Sequence, residues 1–204
     1  MPGEGLELDA YVFMHVFDPG TDIPGVVESF GSREGVRWAQ HFVGSSVVFG
    51  AVTASSLQRL QELIVGEYWE AGARSEWSLS DRPSIWGAPH RHSPPYQTPP
   101  YYAIVRVRTS GNPRTVLDAI DDRIKVKIDP LIEEHGLDGW REIFDFRAAT
   151  VSGKGVDILV EMAAHSIDEL KTTILDLIGP TEGVLATDSS FAYAPHEAPH
   201  ETES

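Results

Sequence analysis

Two stretches of large apolar residues set the frame of this chain. Tyr11-Val-Phe-Met-His-Val-Phe17 is aromatic and β-branched and is closed by Asp18-Pro19-Gly20, which predicts a strand ended by a turn. Tyr101-Tyr-Ala-Ile-Val-Arg-Val-Arg108 has the same character much later in the chain. After each comes a helical pattern, then two adjacent strands, an amphipathic helix and a last strand. The third strand and second helix match best between the copies. Ser46-Val-Val-Phe-Gly-Ala-Val-Thr53 leads into apolar residues at Leu57, Leu60, Ile64 and Tyr68. Val156-Asp-Ile-Leu-Val-Glu-Met162 leads into Ile167, Leu170, Ile174 and Leu177. Both spacings are helical, and Ser56 and Ser166 stand where N-caps belong. The chain is therefore read as an internal repeat.

The first helix of the second copy is the longer one. Asn112-Pro113 supplies its cap and first-turn proline, and the pattern reaches His135-Gly136, with Pro130 expected to kink or split it. Between the copies, residues 81–100 carry prolines at 83, 89, 94, 95, 99 and 100 and read as a stiff connector. The expected division is a first unit over 8–80, the connector over 81–100, a second unit over 101–195 and a frayed tail over 196–204. Each unit reads β-α-β-β-α-β, the ferredoxin-like arrangement, so the fold class is α+β. A sheet with helices on one face must have its other face covered. Two tandem units can do this by closing an α+β barrel within one chain; a homo-oligomer is the alternative.

Composition narrows the function. With 41% hydrophobic residues the chain can build a core, and with no cysteine it has no disulfide, thiolate nucleophile or thiolate metal site. This fits a reducing, cytoplasmic setting. The N-terminus has no basic and apolar leader, and no apolar run is long enough to span a bilayer, so no membrane partner is expected. The formal net charge is −15 and neither half is basic, which argues against direct nucleic-acid binding.

Strand alternation points to one surface. In the second copy Tyr102, Ile104, Arg106 and Arg108 alternate with apolar residues, as do Arg141, Asp145 and Arg147, and Asp157, Leu159 and Glu161. One face would thus carry four arginines and three carboxylates. Charges there must be paired, and a cross-strand ion-pair lattice is the simplest reading. The functional reading leaves one arginine, Arg106 or Arg108, to clamp an anionic ligand. The candidate ligand-binding residues are Arg106, Arg108, Arg141, Asp157 and Glu161, with Arg106 and Arg108 expected beside Glu161 or Asp157. His15 and His41 lie on predicted strands; a catalytic or haem-ligating role is open to them, and a hydrogen-bonded packing role is the simpler reading. His90 and His92 lack an acidic or cysteine partner for a metal. His165 reads as a loop residue, and Trp69, Trp77 and Trp140 as core or interface. No phosphate loop, nucleophile elbow or zinc-protease motif is present.

Val151-Ser-Gly-Lys-Gly-Val-Asp-Ile-Leu-Val-Glu161, followed by Gly183-Val-Leu-Ala-Thr187, resembles the ligand-binding half of the Lrp/AsnC transcription regulators. Phe42-Val-Gly-Ser-Ser-Val47 and Gly72-Ala73 are a fainter copy. The turn before Asp157 is one residue longer than that pattern, Asp157 has no acidic counterpart in the first half, and no helix-turn-helix precedes the first strand. The resemblance implies a stand-alone, non-enzymatic module that binds an amino acid or small organic acid, with no catalytic residue, metal or cofactor. The rivals are an enzyme of the dimeric α+β barrel group, such as a monooxygenase or a haem protein of the chlorite dismutase type, and a structural or partner-binding module.

Overall fold

The computed structural model describes residues 7–16, 20–42, 47–65, 73–81, 99–153 and 155–193. The chain divides into two compact units. The first contains β1 (Leu8–Val16), α1 (Ile23–Gly31), β2 (Val36–His41), β3 (Val47–Ala54), α2 (Leu57–Val65) and β4 (Ala73–Ser80). The second contains β5 (Tyr101–Thr109), α3 (Pro113–Gly139), β6 (Phe144–Gly153), β7 (Val156–Ala164), α4 (Ile167–Thr172) and β8 (Val184–Tyr193). The first sheet has the order β2-β3-β1-β4 and the second β6-β7-β5-β8, antiparallel throughout. Both units thus have the element order read from the repeat.

In each unit one sheet face packs on the helices. Ala10, Val12, Met14 and Val16 of β1 meet Val26, Val27 and Phe30 of α1 and Leu60, Leu63 and Ile64 of α2. Ala103, Val105 and Val107 of β5 meet Leu117, Ile120 and Ile124 of α3, with Leu170 and Ile174 behind them. Burying a side chain of this size stabilises by about 1.5–3 kcal/mol, so these layers supply most of the cohesion.

The helix ends follow the capping rules. Ser56 Oγ accepts the Arg59 N–H at 3.1 Å, Ser166 Oγ accepts that of Glu169 at 3.1 Å, and Asn112 Oδ1 accepts that of Arg114 at 2.9 Å. Three details differ from the pattern. Leu57 is 47% exposed and Ile167 36% exposed, each at the first position of its helix. The end of α4 continues as a π-helical turn over Thr173–Ile178, with Gly179 N–H donating to Ile174 O at 2.7 Å. That wider turn rotates Ile178 into the core and leaves Leu177 half-buried. The long helix α3 runs through Pro130 and leaves helical geometry only at Gly136, at φ 79°. Proline's own φ is helical, and the carbonyl it frees belongs to Val126, whose side chain is 74% exposed, on the face where water can solvate it. Tyr68 and Trp69, the His90–His92 pair, most of the connector and the tail lie outside the described residues.

Candidate functional site

The face of each sheet turned away from its helices carries the candidate chemistry. In the second unit the register places Arg106, Arg108, Arg147, Asp145, Asp157 and Glu161 on that face. Its centre is apolar and buried, with Tyr102, Ile104, Ala149, Leu159 and Ala163. Glu161 and Asp145 are buried within it, and both are engaged in polar interactions.

Arg141 does not belong to this face. The strand begins at Phe144, and Arg141 lies in the preceding 3-10 turn, exposed, with its guanidinium 5.5 Å from the ring centre of the buried Trp140. Arg106 is bound by Asp188 of β8, directly opposite in register, a partner that the alternation of three strands did not name. Arg108 is exposed. Asp157 accepts the Thr109 N–H at 2.7 Å and its hydroxyl at 3.2 Å. Glu161 lies opposite Ile104 on one side and Arg147 on the other. Asp188 lies in the last strand, Thr187-Asp188-Ser189, whose alternation gains meaning only through its pairing with β5. The first unit does have a counterpart to Asp157 with the roles exchanged between strands: Thr53 Oγ1 of β3 donates to Asp9 Oδ1 of β1 at 2.7 Å.

In the first unit the corresponding face is aromatic. Pairing places Gln40, Phe49, Phe13 and Glu76 in one row across β2, β3, β1 and β4, with Trp38, Ala51, Tyr11 and Ser78 in the row beside it. Phe49 stands edge-on to Phe13 at 5.2 Å and to Phe42 at 4.9 Å, a geometry that suits the ring quadrupoles. These rings are buried. His15 stands at the margin of the layer, 27% exposed, with its Nε2 3.9 Å from a carboxylate oxygen of Glu76, which is 50% exposed. The alternation Tyr11, Phe13, His15 was visible in the sequence. What hid the site was the partner, which arrives from β4.

A histidine beside a carboxylate can accept a proton from a group that reaches it from solvent. His41 pairs with Val48, on the helix-packed side, and takes no part in this face. His165 is exposed. Trp77 is half-buried against the first core. Among the described residues no group of three or more His, Asp or Glu could hold a metal ion, and no helix is long and apolar enough to cross a membrane.

Comparison with solved structures bears on what this arrangement does. A chlorite dismutase-like protein matches with TM-score 0.53 at 10% identity, covering 95% of this chain and 96% of its own. An anthrone oxidase-like protein matches with TM-score 0.52 at 13% identity, over 95% of this chain and 93% of its own. A variant of chlorite dismutase from Candidatus Nitrospira defluvii matches with TM-score 0.53 at 10% identity, over 93% and 92%. This chain has their α+β fold. No protein-family model and no curated protein matches it.

The likeness overturns the Lrp/AsnC resemblance, since the structures that share the fold over nearly the whole chain are of the chlorite dismutase and anthrone oxidase kinds. The motif misled for a physical reason. Gly155 and Gly183 have φ of 76° and 88°. They are the residues that a tight entry to β7 and a tight exit from the last helix require in any chain of this topology.

Proposed function

We propose that the chain is an enzyme of the dimeric α+β barrel kind, with two ferredoxin-like units over 8–80 and 101–195 fused in tandem, and that it oxidises a small aromatic molecule with dioxygen. His15 carries this reading: a proton acceptor backed by Glu76 at 3.9 Å, at the margin of the Phe13–Phe49–Phe42 layer. The fold likeness to an anthrone oxidase-like protein supports it, because that name describes oxidation of a fused-ring ketone.

The chemistry follows from the substrate class. A CH2 group flanked by aromatic rings and conjugated to a carbonyl is acidic. His15 takes one of its protons, and Glu76 stabilises the imidazolium. The resulting electron-rich carbon reacts with dioxygen; overall, one CH2 and one O2 give one C=O and one water. Both groups are open to solvent, so the substrate reaches them from the exposed margin of the layer.

Haem chemistry fits these residues poorly. A haem held by histidine, in a chain without cysteine, needs that ring directed into an apolar slot. No described histidine is buried, and neither core contains one. No step is assigned to haem.

The test is oxygen uptake by the full chain with anthrone as substrate. Turnover is expected without a Soret band, with a loss of about a hundredfold or more in His15→Gln at unchanged melting temperature, and a smaller loss in Glu76→Gln. Failure of the wild type to consume oxygen with any activated fused-ring ketone, or full activity in His15→Gln, would refute it.

A further inference from the structure

We infer that the outer edge of β8 pairs with the β8 of a second copy of this chain, so that the sheet of the second unit continues across a twofold axis. The inference is independent of the oxidation chemistry proposed for the first unit. β8 is ten residues long, carries one charge and contains neither lysine nor proline. Natural sheets blunt an exposed edge with lysine, proline, bulges or a short strand, because its free N–H and C=O groups are a template for another strand. β2, an edge of the first sheet, is blunted in this way, with six residues and a bulge at Arg37. β8 has a bulge only at its entry, at Leu185.

Among the described strands β8 is hydrogen-bonded to β5 alone. Gln40 of β2, Ser80 of β4 and Ala148 of β6, the other strands at sheet edges, each take part in further interactions. Among the described residues, none of β8 has a polar or ring interaction beyond the β5 ladder, the turn bond from the Val184 N–H to the Thr181 carbonyl and the Arg106–Asp188 pair. The second row of backbone donors and acceptors of β8 therefore faces outward without a protein partner. Leu185 and Asp188 on this strand are 66% and 64% exposed.

The occupant is a second copy because the edge is self-complementary. An antiparallel twofold centred on Ser189 sets Asp188 opposite Ser190 of the second copy, Thr187 opposite its Phe191 and Ala186 opposite its Ala192. No like charges meet in that register. The two Asp188 carboxylates stand on a diagonal, with about 7–8 Å between their backbones, and each already has its own Arg106. Parity is preserved, so Phe191 stays on the helix-packed side in both copies. A centre on Asp188 would bring the carboxylates face to face, and a centre on Ser190 would set Asp188 against Ala192 and shorten the overlap.

A strand pair buries backbone and a narrow strip of side chains, so the interface belongs to the small, weakly associating class. With a formal charge of −15 on each copy, it strengthens as salt screens the repulsion. The experiment follows the mass of the full chain against concentration by sedimentation, in low and high salt. The wild type should rise from 22.4 kDa toward twice that mass, and sooner in high salt. Ser189→Lys puts two cations on the axis and should stay monomeric where the wild type is dimeric. The chain has no cysteine, so Ser189→Cys introduces a single thiol. Facing residues of an antiparallel ladder have Cα atoms about 4.5–5.5 Å apart, within disulfide reach. Under mild oxidation Ser189→Cys should cross-link on the order of tenfold or more faster than Leu185→Cys. Leu185 is the more exposed residue, yet in this register it stands about 27 Å along the strand from its counterpart. If Ser189→Lys fails to fold, the two cysteine variants decide the question. A wild type that stays monomeric at every concentration and salt, a Ser189→Lys protein that dimerises like the wild type, equal cross-linking of the two cysteine variants, or outer β8 amides already protected from exchange in the dilute monomer would overturn the inference.

Discussion

Gly50→Ala tests the packing on which the first unit depends. Gly50 lies on the helix-packed side of β3, between Val12 of β1 and Ala39 of β2. Its missing side chain is the space into which the Phe30 ring of α1 inserts, and Phe30 is fully buried. A Cβ built there would stand 2.4 Å from Phe30 Cε1, 3.2 Å from Cδ1 and 3.0 Å from the Trp38 carbonyl oxygen. The ring cannot retreat without moving α1, and the carbonyl belongs to the β2–β3 ladder. Overpacking of this kind costs about 1–3 kcal/mol, which lowers Tm by roughly 2–12 °C for a protein of this size. Urea denaturation of Gly50→Ala, Phe30→Leu and the double variant measures the cause directly. The smaller side chain makes room for the new methyl, so the double variant should be more stable than the sum of the singles by about 1 kcal/mol. Because Phe49 is the next residue and faces the aromatic layer, the single variant should also lose activity. A Gly50→Ala protein within about 0.5 kcal/mol of wild type, or strictly additive singles, would refute the reasoning.

Four further outcomes are expected. The Arg106→Ala and Asp188→Asn cycle should give a coupling under about 1 kcal/mol, because Asp188 is 64% exposed and the pair is screened; thermal or urea denaturation reads it. Asp157→Ala leaves the Thr109 N–H and hydroxyl without their acceptor and should cost about 1–3 kcal/mol, with faster amide exchange at Thr109. Ser166→Ala should cost about 1 kcal/mol through the lost cap, measured the same way. Gly183→Ala should be worse than either, since it combines a φ of 88° with a Cβ 2.6 Å from Val116 Cγ2; its midpoint in urea should be the lowest of the three.

Much of the architecture was legible because it depends on short-range pattern. Tyr11 to Val16 and Tyr101 to Arg108 alternate with the period of a strand, and a strand's two faces follow from parity alone. Ser56, Asn112 and Ser166 cap their helices because a side-chain oxygen two or three residues before an orphan N–H needs no tertiary contact to find it. Even the charged face of the second sheet could be assembled from three strands read separately. The short glycine motifs were less informative, since positive φ at Gly155 and Gly183 reports a turn and not a family.

What local pattern could not supply was partnership. The chain alone put Arg106 on a face; only the pairing of β5 with β8 brought Asp188 opposite it. His15 was visible as one histidine on a strand, and its meaning changed when β4 delivered Glu76 and the sheet gathered Phe13, Phe42 and Phe49 beside it. The spacing of Arg141 from Phe144 has strand parity, whereas the fold ends the long helix in a 3-10 turn there and lays the guanidinium on Trp140. Periodicity is a property of neighbours in sequence, so the sequence by itself determined the strands, the caps and the faces. Contacts across a sheet join residues from distant segments whose register is set by the whole core. For that reason the tertiary structure alone decided which charge meets which partner and which is buried.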